Sequence, residues 1–291
     1  MATAHSRRIG LLPALILATI VLTVLTAPCL FPREYGLPGP LTYSPPTMMH
    51  PCGTDLNGRD LLLRILEGGR ISLLVGLCGA SISLIVGTGW GLVAGTSAPR
   101  LDNMMMRFVD VLYSVPRLIF ILVFINAFNE RLQRGASGLG MDWLVGSSRL
   151  VILILSLGLI EWLTMARIVR GQTLVLKERP FVSAARALGQ SGIMILRRHL
   201  LPNLAGIVLV YLTLAVPSVI IDEAFLSFLG LGVQAPQASW GSLLAEGAAS
   251  INPLKGAWWL ILFPSLALLA TLLALYSLGD ALRRKIGAKV G

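Results

Sequence analysis

Long uncharged blocks alternate with short polar connectors along this chain. Residues 9–31 run for 23 positions without a formal charge, 71–98 for 28, 203–221 for 19 and 256–279 for 24. A bilayer core of about 30 Å takes about 20 residues as a helix, so these blocks predict four membrane spans. Blocks 108–128 and 150–166 predict two more, the first enclosing Asp110 and Arg117 and the second Glu161. The expected fold class is an all-α integral membrane protein with six transmembrane helices. The block at 9–31 is longer than the apolar core of about 7–15 residues in a cleaved leader. It closes in Pro28-Cys29-Leu30-Phe31-Pro32 with no A-x-A site, and it reads as a retained helix.

The connectors have their own patterns. Pro32, Pro38, Pro40, Pro45, Pro46 and Pro51 predict an extended segment, because proline fixes φ and lacks an N–H. Gly53-Thr54-Asp55-Leu56-Asn57-Gly58-Arg59-Asp60 is dense in turn and cap residues, and turn chemistry accounts for it better than a phosphate loop does. Leu61–Leu66 predicts a short amphipathic helix ahead of the second span. That span carries Gly76, Gly79, Ala80, Gly87, Gly91 and Gly95, small residues that let helix backbones approach, so it should lie inside a bundle. Residues 129–149 read as a flexible glycine-containing loop.

Residues 167–202 are patterned differently. Pro180 can start a helix. Phe181, Ala184, Ala185 and Leu188 then follow at the spacing of one apolar helix face, and Gly189 can close it in a left-handed cap. Ile193–Leu196 is a second short apolar run, and Pro202 opens the fifth span. A basic, half-apolar pair of short helices should therefore project from the membrane, to lie on lipid or to dock in a groove of a partner.

Composition agrees with the membrane reading. Of 291 residues 55% are hydrophobic and 13% charged, with a mean hydropathy of +0.78, whereas soluble domains are about 25% charged. The net charge of +10 is a topological signal. With the N-terminus inside, 15 basic residues fall on the inner segments and 8 on the outer ones, which favours N-in and C-in. The same scatter excludes nucleic acid as a partner, because the basic residues form no single face. Cys29, Cys52 and Cys78 lack metal or disulfide-framework spacing and read as small buried hydrophobes, although Cys29 and Cys52 could pair. His5, His50 and His199 are far apart. No Walker motif, catalytic constellation or cofactor site is present. Glu161, six residues before Arg167, reads either as a pathway group or as an interfacial pair; Asp110 and Arg107 can pair at i, i+3.

Ser183-Ala184-Ala185-Arg186-Ala187-Leu188-Gly189, followed after nine residues by His199-Leu200-Leu201-Pro202, resembles the "EAA" loop of ABC-importer permeases. His50 to Asp60 is similar to the outer motif of the oligopeptide/dipeptide/nickel class. Leu226 to Pro236 with Ser239-Trp240-Gly241 is similar to that class's late outer segment, and Arg197 to Asn203 fits its peptide branch. The match runs over residues 50–280. Two positions and one segment depart from the pattern: Ser183 replaces the family glutamate, Cys52 an aliphatic residue, and the tail Ala281–Lys285 lacks acidic and proline residues.

The resemblance implies a multi-pass permease subunit of the bacterial inner membrane that carries peptides or similar small solutes. Its implied partners are a second homologous permease, two ATP-binding subunits, an extracytoplasmic solute-binding protein and the lipid membrane. Residues 1–69 would hold the first helix, the Pro-rich loop and the amphipathic segment. Residues 70–291 would form a five-helix core whose loop at about 167–202 couples to the ATPase. In that loop Phe181, Ser183, Ala184, Ala185, Arg186, Ala187, Leu188, Gly189 and Pro202 are the site residues. ATP hydrolysis would belong to the partners. The rival readings are a proton-coupled secondary transporter using Glu161, and a non-transporting membrane scaffold.

Overall fold

The computed structural model describes the backbone of residues 2–30, 37–235, 237–250 and 256–290, and the side chains of 12–26, 37–235, 237–250 and 256–285. Among the described residues ten α-helices follow in order: α1 Ala2–Leu30, α2 Leu61–Thr96, α3 Pro99–Ser114, α4 Arg117–Gly138, α5 Asp142–Lys177, α6 Pro180–Ala187, α7 Gly192–Ile195, α8 Leu201–Phe228, α9 Trp240–Ala249 and α10 Trp259–Val290. A π-turn, Leu196–Leu200, joins α7 to α8. The described residues contain no strand beyond one isolated bridge, Thr54 to Asp60.

Among the described residues four helices are long and apolar enough to cross a bilayer: Leu61–Thr96, Asp142–Lys177, Gly192–Phe228 and Trp259–Lys285. The bent pair α3–α4 supplies a fifth if it counts as one span, and Leu12–Thr26 is a shorter apolar stretch within α1. Residues 108–128 therefore do not form one straight helix. The chain turns by 89° between α3 and α4, because Pro116 has no N–H to continue the ladder and forces Val115 into extended geometry (φ −76°, ψ 128°). Residues 129–149 are not a flexible loop either. α4 runs on to Gly138 and α5 begins at Asp142, so a tight connection with Gly140 at φ +68° makes a helical hairpin. Leu61–Leu66 is the opening of α2 itself, with Arg64 buried, and not a separate helix on a membrane surface.

α2 forms the centre of the bundle, and its glycines explain how. A Cβ on Gly87 would meet Met165 Cβ at 2.6 Å and the Trp162 carbonyl at 2.8 Å. One on Gly91 would meet the Ala166 carbonyl at 2.6 Å, and one on Gly95 would meet Thr173 Cβ at 2.7 Å. Gly79 and Gly158 face each other further along the same contact. A glycine every four residues thus sets α2 against α5 at backbone distance. Gly76 receives Ile220 of α8 in the same way. The close packing lies inside this chain, so these glycines support its own fold first.

α2 and α5 run parallel, so like ends of the two helices gather at each end of the bundle, and those two ends differ. The Lys177 ammonium at the end of α5 donates to the Gly95 carbonyl of α2 at 2.9 Å. At the opposite end Arg149, near the start of α5, donates to the Gly232 and Leu231 carbonyls beyond α8. The first end carries the α6–α7 elbow; the second carries residues 37–60 and 229–240.

Candidate functional site

The elbow is built by local sequence. Pro180 occupies the first turn of α6, where its missing N–H leaves no gap in the ladder. The helix closes in a Schellman motif: Gln190 N–H donates to the Ala185 carbonyl at 3.1 Å and Gly189 N–H to the Arg186 carbonyl at 2.9 Å. Gly189 sits at φ +77° with open space around it, so backbone conformation alone demands glycine there. The Ser191 hydroxyl then caps α7 by accepting from Met194 N–H at 3.4 Å.

The faces of this hairpin differ from the sequence-based stripe in one respect. Val182 and Ala185 point inward and pack with Ile195, Leu200, Leu176 and Leu196. Ala185 is 4% exposed, so it holds the elbow together and is unavailable to a partner. The outward face carries Phe181, Ser183, Ala184, Arg186, Ala187 and Leu188. Leu188 is 81% exposed and Ile193 71%, with Phe181 and Met194 beside them. Pro202 lies in the first turn of α8. His199 Nε2 lies 3.1 Å from Gln190 Oε1, tying the hairpin to the π-turn. That turn contains Arg197, Arg198 and His199.

The base of the elbow is pinned by ion pairs. Arg170 of α5 grips Asp102 of α3 with two bonds, at 2.6 and 2.7 Å. Arg167 reaches Asp110 at 2.8 Å and lies over the Tyr113 ring, 4.1 Å from its centroid. Asp110 is therefore paired across helices, not with Arg107, and Arg167 is not the partner of Glu161.

Glu161 lies deeper than its distance from Arg167 suggested, because α5 continues to Lys177 and places it near mid-helix. Its Oε2 accepts from Arg117 Nη2 at 2.6 Å, and the same nitrogen donates to Asp222 Oδ2 at 2.5 Å. Arg117 stands at the start of α4, just past the proline bend, so the triad joins α4, α5 and α8.

Asp222 and its neighbour Glu223 escaped the sequence reading, since the uncharged block ended at 221. The apolar Ala224, Phe225 and Leu226 beyond them were the signal that the helix continues. Glu223 is fully buried and accepts from the Ser72 hydroxyl at 2.9 Å and the Ser227 hydroxyl at 2.6 Å. The Ser227 oxygen in turn accepts from Val233 N–H at 3.0 Å.

The far end of the bundle is interlocked. The Asp55 carboxylate accepts from the N–H groups of Asn57 and Arg59, from Arg59 Nε at 2.7 Å and from Arg64 Nη1 at 2.9 Å. Arg64 also forks onto Glu246 of α9. Asp60 caps α2 through Leu63 N–H, and its other oxygen lies 2.7 Å from His50 Nδ1. Gly53 sits at φ +78° with Ser44 O and the Trp259 ring within 3 Å of where a Cβ would be. Trp240 Nε1 donates to the Ile65 carbonyl at 3.0 Å while its ring covers Gly69. The turn-and-cap reading of Gly53–Asp60 is what the geometry displays. Cys52 is a buried free thiol in the same cluster; burial, with the charge of Asp60, pushes it up to about 11. Cys78 is also free, and the side chain of Cys29 lies outside the described residues. No group of three or more potential metal ligands occurs among the described residues.

With this geometry in hand, the chain can be set beside known proteins. Residues 87–290 match the model of the family described as "Binding-protein-dependent transport system inner membrane component". The chain is 40% identical over 278 residues to the oligopeptide transport system permease protein OppC of Haemophilus influenzae, covering 94% of this chain and 83% of the relative. It is 39% identical over 246 residues to the dipeptide transport system permease protein DppC of Bacillus subtilis, covering 84% and 71%. A solved structure titled as inward-facing conformations of the MetNI methionine ABC transporter shares the fold. The TM-score is 0.57 at 18% identity, over 78% of this chain and 97% of that one.

Proposed function

The chain belongs to the family of binding-protein-dependent transport system inner membrane components, and from that premise we propose that it forms half of a peptide path. It is a multi-pass permease subunit of an ABC importer in the bacterial inner membrane, and hydrolysis of ATP belongs to separate subunits. The proton-coupled reading of Glu161 is set aside, both by the family and because its carboxylate is engaged by Arg117. The finer proposal has three parts. The complex contains a second homologous permease, two ATP-binding subunits and an extracytoplasmic solute-binding protein. The chain crosses six times with both termini inside, α1 included. The α6–α7 elbow is the element that docks on an ATP-binding subunit.

The observation that carries the docking role is the apolar face of Phe181, Ala184, Leu188, Ile193 and Met194, held outward on a hairpin whose inner face is already packed. A short stiff helix with an unpartnered apolar face suits insertion into a groove of another protein. Residues Ser183, Arg186 and Ala187 border that face and would meet the rim of such a groove.

Reconstitution of the five-chain complex in vesicles tests the whole reading. Peptide-loaded binding protein should stimulate ATP hydrolysis and peptide uptake, and Leu188→Asp should abolish both without loss of the chain from the membrane. Unchanged stimulation in Leu188→Asp would remove the docking role. In the same vesicles, cysteines placed at Leu188 and Asp142 should label from opposite sides; labelling from one side would overturn the six-span arrangement.

A further inference from the structure

Arg117, Glu161 and Asp222 meet within the membrane-length helices, and neither the elbow nor the loop end uses them. Glu161 is close to the centre of α5, and Asp222 lies within the apolar stretch of α8. Charged side chains at membrane depth turn toward protein or water, because exposure to lipid is costly. Yet the side chains are 46%, 13% and 24% exposed in the chain by itself. The face formed by the α3–α4 bend, α5 and α8 therefore opens on water or on another protein.

The cluster's charge is unbalanced. Two carboxylates share one guanidinium nitrogen, so the net charge is negative by one. Among the described residues no second basic group lies within ion-pair distance of Glu161 or Asp222. Arg167, the nearest candidate in sequence, is engaged by Asp110 and Tyr113.

Two cavities adjoin the cluster at Glu161. Arg117 and Glu161 line a cavity of about 90 Å³ whose walls include Leu112, Tyr113, Phe120 and Leu163. That is room for about three waters, which suits a charged terminus and not a whole peptide. Glu161 also lines a second cavity of about 210 Å³ together with Ser83, Tyr211 and Ser218. The Ser83 hydroxyl there is buried, 1% exposed at the residue, and has no hydrogen-bond partner. A buried hydroxyl without a partner is costly unless something else meets it.

We propose that Arg117, Glu161 and Asp222 form a station on the solute path that takes the free ammonium terminus of a peptide in passing. The ammonium, a compact donor of three hydrogen bonds, exchanges against the Arg117 guanidinium on the two carboxylates, and Ser83 offers a further acceptor. The excess negative charge makes the station selective for a cationic terminus over a blocked one. This rests on the peptide-permease reading above.

The test is uptake of radiolabelled tri-alanine and of its N-acetylated form by the reconstituted complex, each supplied at saturating loading of the binding protein. The wild-type complex should prefer the free peptide. In Glu161→Gln and Asp222→Asn, which keep an acceptor for Arg117, the ratio of free to acetylated uptake should fall about tenfold. In Arg117→Gln, which removes the competing cation, the ratio should rise, a sign that loss of folding cannot produce. A ratio that stays constant in all three variants overturns the station, whether both rates fall together or neither changes. Uptake of neither peptide by the wild type would instead remove the peptide-permease reading, and the station with it.

Discussion

The two ends of the bundle both match family motifs, yet they use their residues in opposite ways. At the loop end, the polar and aromatic anchors of residues 53–60 and 226–240 turn inward, while Leu56, Phe228 and Leu229 stay exposed. Asp55, Arg64, Ser227, Ser239 and Trp240 are buried, and their polar groups satisfy one another. At the elbow, only Val182 and Ala185 of α6 are buried, and the large apolar side chains point out. A recognisable motif can thus be a self-contained scaffold or a surface that its own chain leaves uncovered. The distinction lies in where the apolar groups find contacts. At the loop end Leu61, Trp240 and Trp259 find them within their own chain, while the elbow leaves Leu188 and Ile193 open on a hairpin that is already packed on its inner face.

The sharpest way to break this comparison is to damage both ends and measure stability and coupling separately. Asp55→Ala leaves two arginines, one of them buried, without their shared carboxylate. The loss should be about 3–5 kcal/mol, read as a large drop in unfolding temperature of the purified chain. Phe181→Ser with Leu188→Ser should leave that temperature within a degree or two, because exposed substitutions stay within about 0.5 kcal/mol, while peptide-stimulated ATP hydrolysis is lost. If the elbow variant melts like the Asp55 variant, the two ends are alike and the surface reading of the elbow fails.

A second, smaller contrast uses two glycines of nearly equal φ. Gly53→Ala adds a Cβ that would lie 2.7 Å from Ser44 O, and together with left-handed strain it should cost about 2–3 kcal/mol. Gly189→Ala meets open space, so only the strain of about 1 kcal/mol remains. Equal destabilisation, measured by denaturation in detergent, would show that packing adds nothing at the loop end.

The most local contrast separates two neighbouring alanines of α6. Ala185→Asp buries a charge against Ile195 and Leu200 and should disorder the elbow, visible as new proteolytic cleavage between Lys177 and Arg198. Ala184→Asp, on the exposed face, should leave the cleavage pattern unchanged and lower only coupling. New cleavage in Ala184→Asp would place that residue in the hairpin's interior.

Much of the elbow was legible in the sequence, since Pro180 and Gly189 act within one or two turns of themselves, whereas the Ser191 cap emerged only in the structure. The α2 glycines were legible too, as a span rich in small residues. What the pattern misjudged was direction. Phe181, Ala184, Ala185 and Leu188 share a stripe on a helical projection, but α7 and the π-turn settle against one edge of it and withdraw Ala185. Counting uncharged runs also cut α8 short at 221, because the serines that satisfy Glu223 lie on α2 and beyond α8's middle.

The sequence alone determined the apolar cores of the long spans, the start and stop of α6, and that the whole belongs in a membrane. These properties follow from hydrophobic periodicity and from the backbone preferences of proline and glycine, which act over a few residues. Only the tertiary structure decided that Arg117 joins Glu161, 44 residues away, and Asp222, 105 residues away. It also decided that Asp110 turns to Arg167 instead of Arg107. Such pairs depend on helix order, on the bend at Pro116 and on the close approach that the α2 glycines permit. No local pattern encodes them, because each charge has several sterically reachable partners until the helices have packed.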